Sequence, residues 1–114
     1  MELTINSQNY KLVFGVGFVR TMDKKYGLSN NAGFGLGMAL TKAIPALEMY
    51  DPAALAEVIQ CAADPSLSLS DVDEYLDNPN TDIETLFKDV LAAIESANAT
   101  KLAVKNLKSQ VEQY

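Results

Sequence analysis

The chain contains no histidine, no tryptophan and a single cysteine among its 114 residues. Without histidine it lacks the commonest general base, both the Ser-His and Cys-His nucleophile systems, and most transition-metal sites. Without tryptophan, any binding face must do without one common hot-spot anchor. Cys61 alone forms no intrachain disulfide and fits a reducing cytoplasm. Its neighbours Ala62 and Ala63 point to a small buried hydrophobe rather than a reactive thiol. No apolar stretch approaches the roughly 20 residues needed to span a membrane. The N-terminus has no basic region leading into an apolar run, so no secretory leader is expected.

What is present is ordinary for a soluble globular domain: 48% hydrophobic and 21% charged residues. The length suits one domain over 1–114 that buries its own core. The net charge of −6 is unevenly spread. Residues 1–42 carry Lys11, Arg20, Lys24, Lys25 and Lys42 against Glu2 and Asp23, a net of +3. Residues 43–100 carry twelve acidic groups against Lys88 alone, a net of −11. Residues 101–114 carry Lys101, Lys105 and Lys108 against Glu112, a net of +2. One reading is a solvated acidic face; the other is head-to-tail self-association between basic ends and an acidic middle. No basic patch is large enough to neutralise several phosphates, so nucleic acid is not an expected partner.

The first 27 residues carry the clearest pattern. Leu3 and Ile5 alternate with Glu2 and Thr4; Tyr10, Leu12 and Phe14 alternate with Lys11 and Val13. Asn6-Ser7-Gln8-Asn9 lies between the two runs, which predicts a β-hairpin over residues 1–14 with a four-residue turn. Gly15 and Gly17 end the strand, and Phe18, Val19, Met22 and Tyr26 follow at helical spacing. Leu3, Ile5, Asn6, Tyr10, Leu12, Phe14, Gly15 and Phe18 match a segment M-x-L-x-I-(N/G)-x-x-x-Y-x-L-x-F-G-x-x-(F/Y). In this the chain resembles the tail assembly chaperones of long-tailed phages and prophages of Gram-positive bacteria. The specific match covers about the first quarter; the remainder agrees in length, acidity and helical character.

The rest of the chain predicts helices over 15–114. Leu36, Leu40, Ile44 and Leu47 line one face, with Pro45 predicting a kink or break near Ala43-Ile44. Asp51-Pro52 is a helix start, with Leu55, Val58, Ile59 and Ala62 as the buried stripe. Asp64-Pro65 ends that helix. Ser70 is the expected cap of a short helix bearing Val72, Tyr75 and Leu76. Thr81 and Glu84 fit a capping box ahead of Ile83, Leu86, Phe87, Val90, Leu91 and Ile94. Ala97-Asn98-Ala99 predicts a bend or an interruption. A last helix over about 100–113 carries Val104, Leu107, Val111 and Tyr114 in a narrow seam, and its sparse cover suggests that it projects. The expected fold is α+β, mostly α: a two-stranded hairpin followed by five or six helices.

The glycine clusters fail the context for phosphate binding. Arg20 stands where the third glycine of a dinucleotide fingerprint belongs, and Gly33-Phe34-Gly35-Leu36-Gly37 has no following Lys-Ser/Thr. Gly33, Gly35 and Gly37 read instead as turn and hinge glycines, or as a mobile segment that orders against a partner. The acidic run from Asp71 to Glu84 fits no calcium loop: counting from Asp71 puts Leu76 at the sixth position, and from Asp73 puts Asn78 there, where glycine is required. No metal, cofactor or catalytic residue is expected, and the acids read as helix N-terminal charges.

The family resemblance implies an assembly factor that works in the host cytoplasm. It implies binding to the tape measure protein, transfer to the tail tube protein, and absence from the finished virion. Val104, Leu107, Val111 and Tyr114 are the expected partner or self-association face. Two other readings stay open at this point: a head–tail connector or tail-terminator component that remains in the particle, and a small helical regulatory domain.

Overall fold

The computed structural model describes the backbone of residues 1–26 and 38–112, with side chains described to residue 109 except at 38. Among the described residues, β1 (Glu2–Ile5) and β2 (Gln8–Leu12) form the antiparallel hairpin, paired Glu2 to Lys11 through Ile5 to Gln8. The turn is two residues long, not four. Asn6 and Ser7 adopt φ of 53° and 64°, the left-handed pair whose twist matches that of the flanking strands. Gln8 and Asn9 therefore enter β2, where the Thr4 hydroxyl donates to Asn9 Oδ1 at 2.7 Å. The alternation holds: Leu3, Ile5, Tyr10 and Leu12 are buried and their neighbours exposed.

The helices follow as α1 (Val16–Tyr26), α2 (Met38–Glu48), α3 (Pro52–Ala62), α4 (Leu69–Asp77), α5 (Ile83–Ser96) and α6 (Lys101–Glu112). Between α3 and α4 lies β3 (Ala63–Asp64), a two-residue strand that pairs with Lys11 and Leu12 and completes the sheet order β1-β2-β3. Val13 N–H donates to Ala62 C=O at 2.9 Å and prolongs this edge. The Asp64-Pro65 bond is cis.

α3 lies at the centre. Leu55, Val58 and Ile59 are fully enclosed, and the helix packs against α1, α2, α4 and β2. Asp51 fixes its start by accepting the Ala53 and Ala54 N–H groups at 3.0 and 3.3 Å, with Pro52 in the first turn where its missing N–H costs nothing. α2 brings Leu40, Ile44 and Leu47 onto the same core. The helix continues through Pro45, so of the expected kink or break the break does not occur. Pro45 is exposed and sits near the end of α2, whose stripe is pinned on both sides of it by Ile44 and Leu47. Leu36 lies outside the described residues.

Two caps differ from those the sequence suggests. Ser68, not Ser70, caps α4 by accepting the Asp71 N–H at 3.1 Å; Leu67 is buried and sets where the helix turns in. Asp82, not Thr81, caps α5. It accepts the Thr85 N–H at 3.2 Å and the Thr85 hydroxyl at 2.8 Å. The Thr81 hydroxyl is drawn away to donate to the Tyr75 carbonyl at 2.6 Å, closing the α4–α5 turn. α5 then buries Leu86, Phe87, Val90 and Ile94.

Of the bend or interruption expected at Ala97-Asn98-Ala99, the chain takes the interruption, a full helix break. Ala97 closes α5, and the Thr100 C=O accepts the Val104 N–H at 3.1 Å to open α6. Thr100 is fully buried, and its hydroxyl donates to the Ile94 carbonyl, one of the last acceptors of α5. α6 packs on α5 and α2. One hydrophobic core joins the hairpin and the helices, giving the expected α+β, mostly α fold.

Candidate protein-binding surface

The seam expected on the last helix divides between core and surface. Val104 is buried at 3% exposure, and Leu107 is half-buried against the same core. Their spacing is that of residues packed on α5 and α2. The side chain of Val111, and Tyr114 altogether, lie outside the described residues, as do Gly33, Gly35 and Gly37. Among the described residues, the large hydrophobic that α6 exposes is Leu102, at 71%. It stands between Lys101 and Lys105 in sequence, and both lysines are exposed. Lys105 is one turn along from Leu102, so the two share a face. Neither lysine makes an ion pair among the described residues, where Lys108 pairs with Glu95 and Lys88 with Glu84.

Among the described residues, the largest apolar exposure lies where α2 hands over to α3. Met49 is 81% and Tyr50 53% exposed. α2 ends in a Schellman motif: Tyr50 N–H donates to Leu47 C=O at 3.1 Å and Asp51 N–H to Ala46 C=O at 3.0 Å. Tyr50 occupies the left-handed position at φ 61°, a place usually given to glycine. A non-glycine residue there costs on the order of 1 kcal/mol. The ring is held in return against Phe87, with centroids 5.3 Å apart and planes at 86°, a favourable edge-to-face geometry. Tyr50, Pro52, Ile83, Glu84 and Phe87 line a groove of about 340 Å³. Four of these five are apolar or aromatic. Glu84 stands at the edge, and the exposed Glu48 lies two residues before Tyr50.

Two further recesses are of different character. A polar cleft of about 460 Å³ runs between the hairpin turn and α4, lined by Asn6, Asp71, Glu74, Asn78, Asn80 and Asp82 among others. A narrower crevice of about 220 Å³ separates α1, α2 and α3. There burial, and then the charge of Asp51, raise the Glu57 carboxyl above its usual range. Nearby the Tyr26 hydroxyl donates to Gln60 Oε1 at 2.9 Å. Cys61 is half-buried, and burial pushes its thiol up to about 11, with Lys25 opposing and Glu57 adding to the shift. Among the described residues no group of three or more His, Cys, Asp or Glu side chains could hold a metal ion. Nor is any described helix long and apolar enough to cross a membrane.

A small α+β domain that presents an apolar groove, an isolated apolar knob between lysines and an acidic midsection is the kind of chain that works by contact with other proteins. The chain belongs to the phage tail assembly chaperone family: the family model described as phage tail assembly chaperone protein, TAC, matches residues 2–109 of 114. The match takes in the helices as well as the N-terminal hairpin. No curated protein and no solved structure matches the chain.

The groove and the knob escaped sequence reasoning. Tyr50 and Phe87 are far apart in the chain, and nothing local marks them as neighbours. Leu102 carried a weak signal: it falls off the Val104-Leu107-Val111 stripe and so belongs to the opposite side of the helix.

Proposed function

We propose that this chain binds the tape measure protein in the cytoplasm of the bacterial host. It keeps that protein soluble and extended, hands it to the tail tube protein as the tube polymerises, and does not remain in the virion. Family membership across nearly the whole chain carries the reading. The physical properties agree with it: apolar surface that can cover an amphipathic partner and net charge that favours solubility. On α6, Leu107 with Val111 and Tyr114 is the proposed contact for the partner. Val104 supports this face from within the core.

Co-expression with the tape measure protein of the same genome, followed by pull-down and light scattering, tests the proposal. The expected result is a soluble tape measure protein that co-elutes with several copies of this chain. A tape measure protein that precipitates in its presence removes the proposed role. A chain found as a stoichiometric component of purified virions removes it in favour of a connector or terminator. A Leu107→Ala/Val111→Ala pair that leaves capture unchanged removes the α6 face alone.

A further inference from the structure

We infer that the free edge of β1, with the polar cleft beside it, takes an extended basic segment of another protein, which joins the sheet as a fourth strand. The edge follows from the hairpin register. The two-residue turn makes Ile5 and Gln8 a hydrogen-bonded pair, and such pairs alternate along an antiparallel ladder. Leu3 with Tyr10 is the next, and the Leu12 N–H, donating to the Met1 C=O at 2.9 Å, continues the series. Glu2 and Thr4 therefore turn their N–H and C=O groups away from β2. The sheet order β1-β2-β3 places no strand on that side, and both residues are exposed. Among the described residues no backbone hydrogen bond reaches those outward groups. Natural sheets blunt an open edge with lysine, proline or a bulge. β1 runs Glu2-Leu3-Thr4-Ile5 in unbroken register and has none of these. Its one charge, Glu2, repels acidic chains and attracts basic ones.

The cleft sets the charge of the occupant. Its volume is about 460 Å³, and it runs from Thr4 and Asn6 to the outer face of α4 and the turn before α5. Asp71, Glu74 and Asp82 line it, and among the described residues no basic side chain does. None of the three carboxylates is in an ion pair among those residues. Asp82 is engaged with Thr85, which leaves Asp71 and Glu74. These stand one turn apart on α4, with about 5–6 Å between Cβ atoms at that spacing. Alternate side chains on one face of a strand recur at roughly 6.6–6.8 Å. Lysine or arginine at alternate positions of an added strand thus meets the two carboxylates one for one. Pairing to Glu2 and Thr4 holds the strand in place, and the carboxylates select its side chains. The net −11 of residues 43–100 favours the approach of a basic segment. This contact takes extended backbone, whereas the face proposed on α6 suits a helix. It is tested with a synthetic peptide, so its failure leaves the proposed function standing.

The experiment titrates the isotope-labelled full chain at low salt with a capped synthetic peptide of alternating lysine and valine. Amide chemical shifts and amide hydrogen exchange are followed. Shifts are expected at Glu2, Thr4, Asn6 and the outer face of α4. Exchange of the Thr4 N–H is expected to slow about tenfold or more at saturation, because an open donor becomes part of a ladder. The same peptide with methylated backbone nitrogens should bind about tenfold or more weakly, since its donors are gone. Glu74→Lys, at an exposed position, should lower the affinity by about tenfold or more with the circular dichroism spectrum unchanged. Thr4→Pro removes an outward donor where an edge strand tolerates proline, and it should weaken binding to a similar degree. Should that variant fail to fold, the methylated peptide tests the same bond on the wild-type chain. A spectrum unmoved at the highest peptide concentration reached overturns the inference. So do shifts centred on the Tyr50–Phe87 groove. Equal affinity for the methylated peptide would reduce the contact to charge alone and overturn it. A Thr4 N–H already protected without peptide would mean that the edge is filled by this chain or by another copy, and would overturn it as well.

Discussion

The hydroxyl of Thr100 gives the sharpest test of how α6 is held. Among the described residues Thr100 is the one polar side chain buried in the core, with no exposed surface, and its hydroxyl donates to the Ile94 carbonyl. That carbonyl lies in the last turn of α5, where the following backbone has already left the helix: Ala97 caps the end and its N–H goes to Ala93. Thr100→Val keeps the shape and removes the donor. It leaves a buried carbonyl without a partner, at a cost of about 1–3 kcal/mol. Small domains are stable by about 5–15 kcal/mol in total, so this is a large fraction. At about 4 °C per kcal/mol for a chain of this size, the melting temperature should fall by roughly 4–12 °C. Thr100→Ser keeps the donor and loses one methyl, so it should cost about 1 kcal/mol or less. Urea denaturation followed by circular dichroism measures both. The m-value should be unchanged, because the surface exposed on unfolding is the same. A Thr100→Val chain within about 0.5 kcal/mol of wild type, or one more stable than Thr100→Ser, would refute the argument that this one bond closes α5 and opens α6.

Three further outcomes are expected. Leu55→Ala empties a fully enclosed site on α3 and should cost about 2–5 kcal/mol by denaturation, whereas Leu102→Ala on the exposed side of α6 should stay within about 0.5 kcal/mol. Cys61, whose thiol is raised from 9.0 to about 11 chiefly by burial, should react with a disulfide reagent near neutral pH about tenfold more slowly than the same thiol in urea, because the loss of thiolate is partly offset by its greater nucleophilicity; equal rates would contradict its burial. Asp82 is held below the usual carboxylate range by the Thr85 hydroxyl and N–H. Its contribution is therefore present above the unfolded carboxylate pKa and lost as pH falls through the lower folded value. Asp82→Ala should be less stable than wild type at neutral pH, and that gap should close on acidification below the normal carboxylate range. A gap independent of pH would mean that the cap does not act through its charge.

Much of the fold was legible because local chemistry and the core agree. Asp51-Pro52 specifies a helix start on its own, and the Ile83–Ile94 periodicity admits one orientation against a core. Alternating apolar residues settle the faces of the hairpin. Where two polar residues compete for one role, sequence could not choose. Ser68 and Ser70 both suit a cap, and Leu67 decides between them by being buried. Thr81 and Asp82 both suit the next cap, and the Tyr75 carbonyl decides by taking the Thr81 hydroxyl. Pro45 shows tertiary packing overriding a local preference. β3 is too short to carry a period, and its pairing to Lys11 and Leu12 depends on contacts more than fifty residues away. The groove is of the same kind. Tyr50 signals the end of α2, but only the folded chain brings Phe87 beneath it. The terminal seam signals burial as much as binding, and Val104 is buried.

The strand β3 has a consequence for synthesis. β2 finds its second neighbour only when Ala63 and Asp64 have been made. Emerging from a ribosome at roughly 5–20 residues per second, the hairpin waits roughly 3–10 s for that partner. For that interval Leu3, Ile5, Tyr10 and Leu12 belong to an isolated two-stranded ribbon, which water alone barely supports. The nascent chain therefore passes through a stage in which its own N-terminus presents unshielded apolar surface, before it can shield anything else.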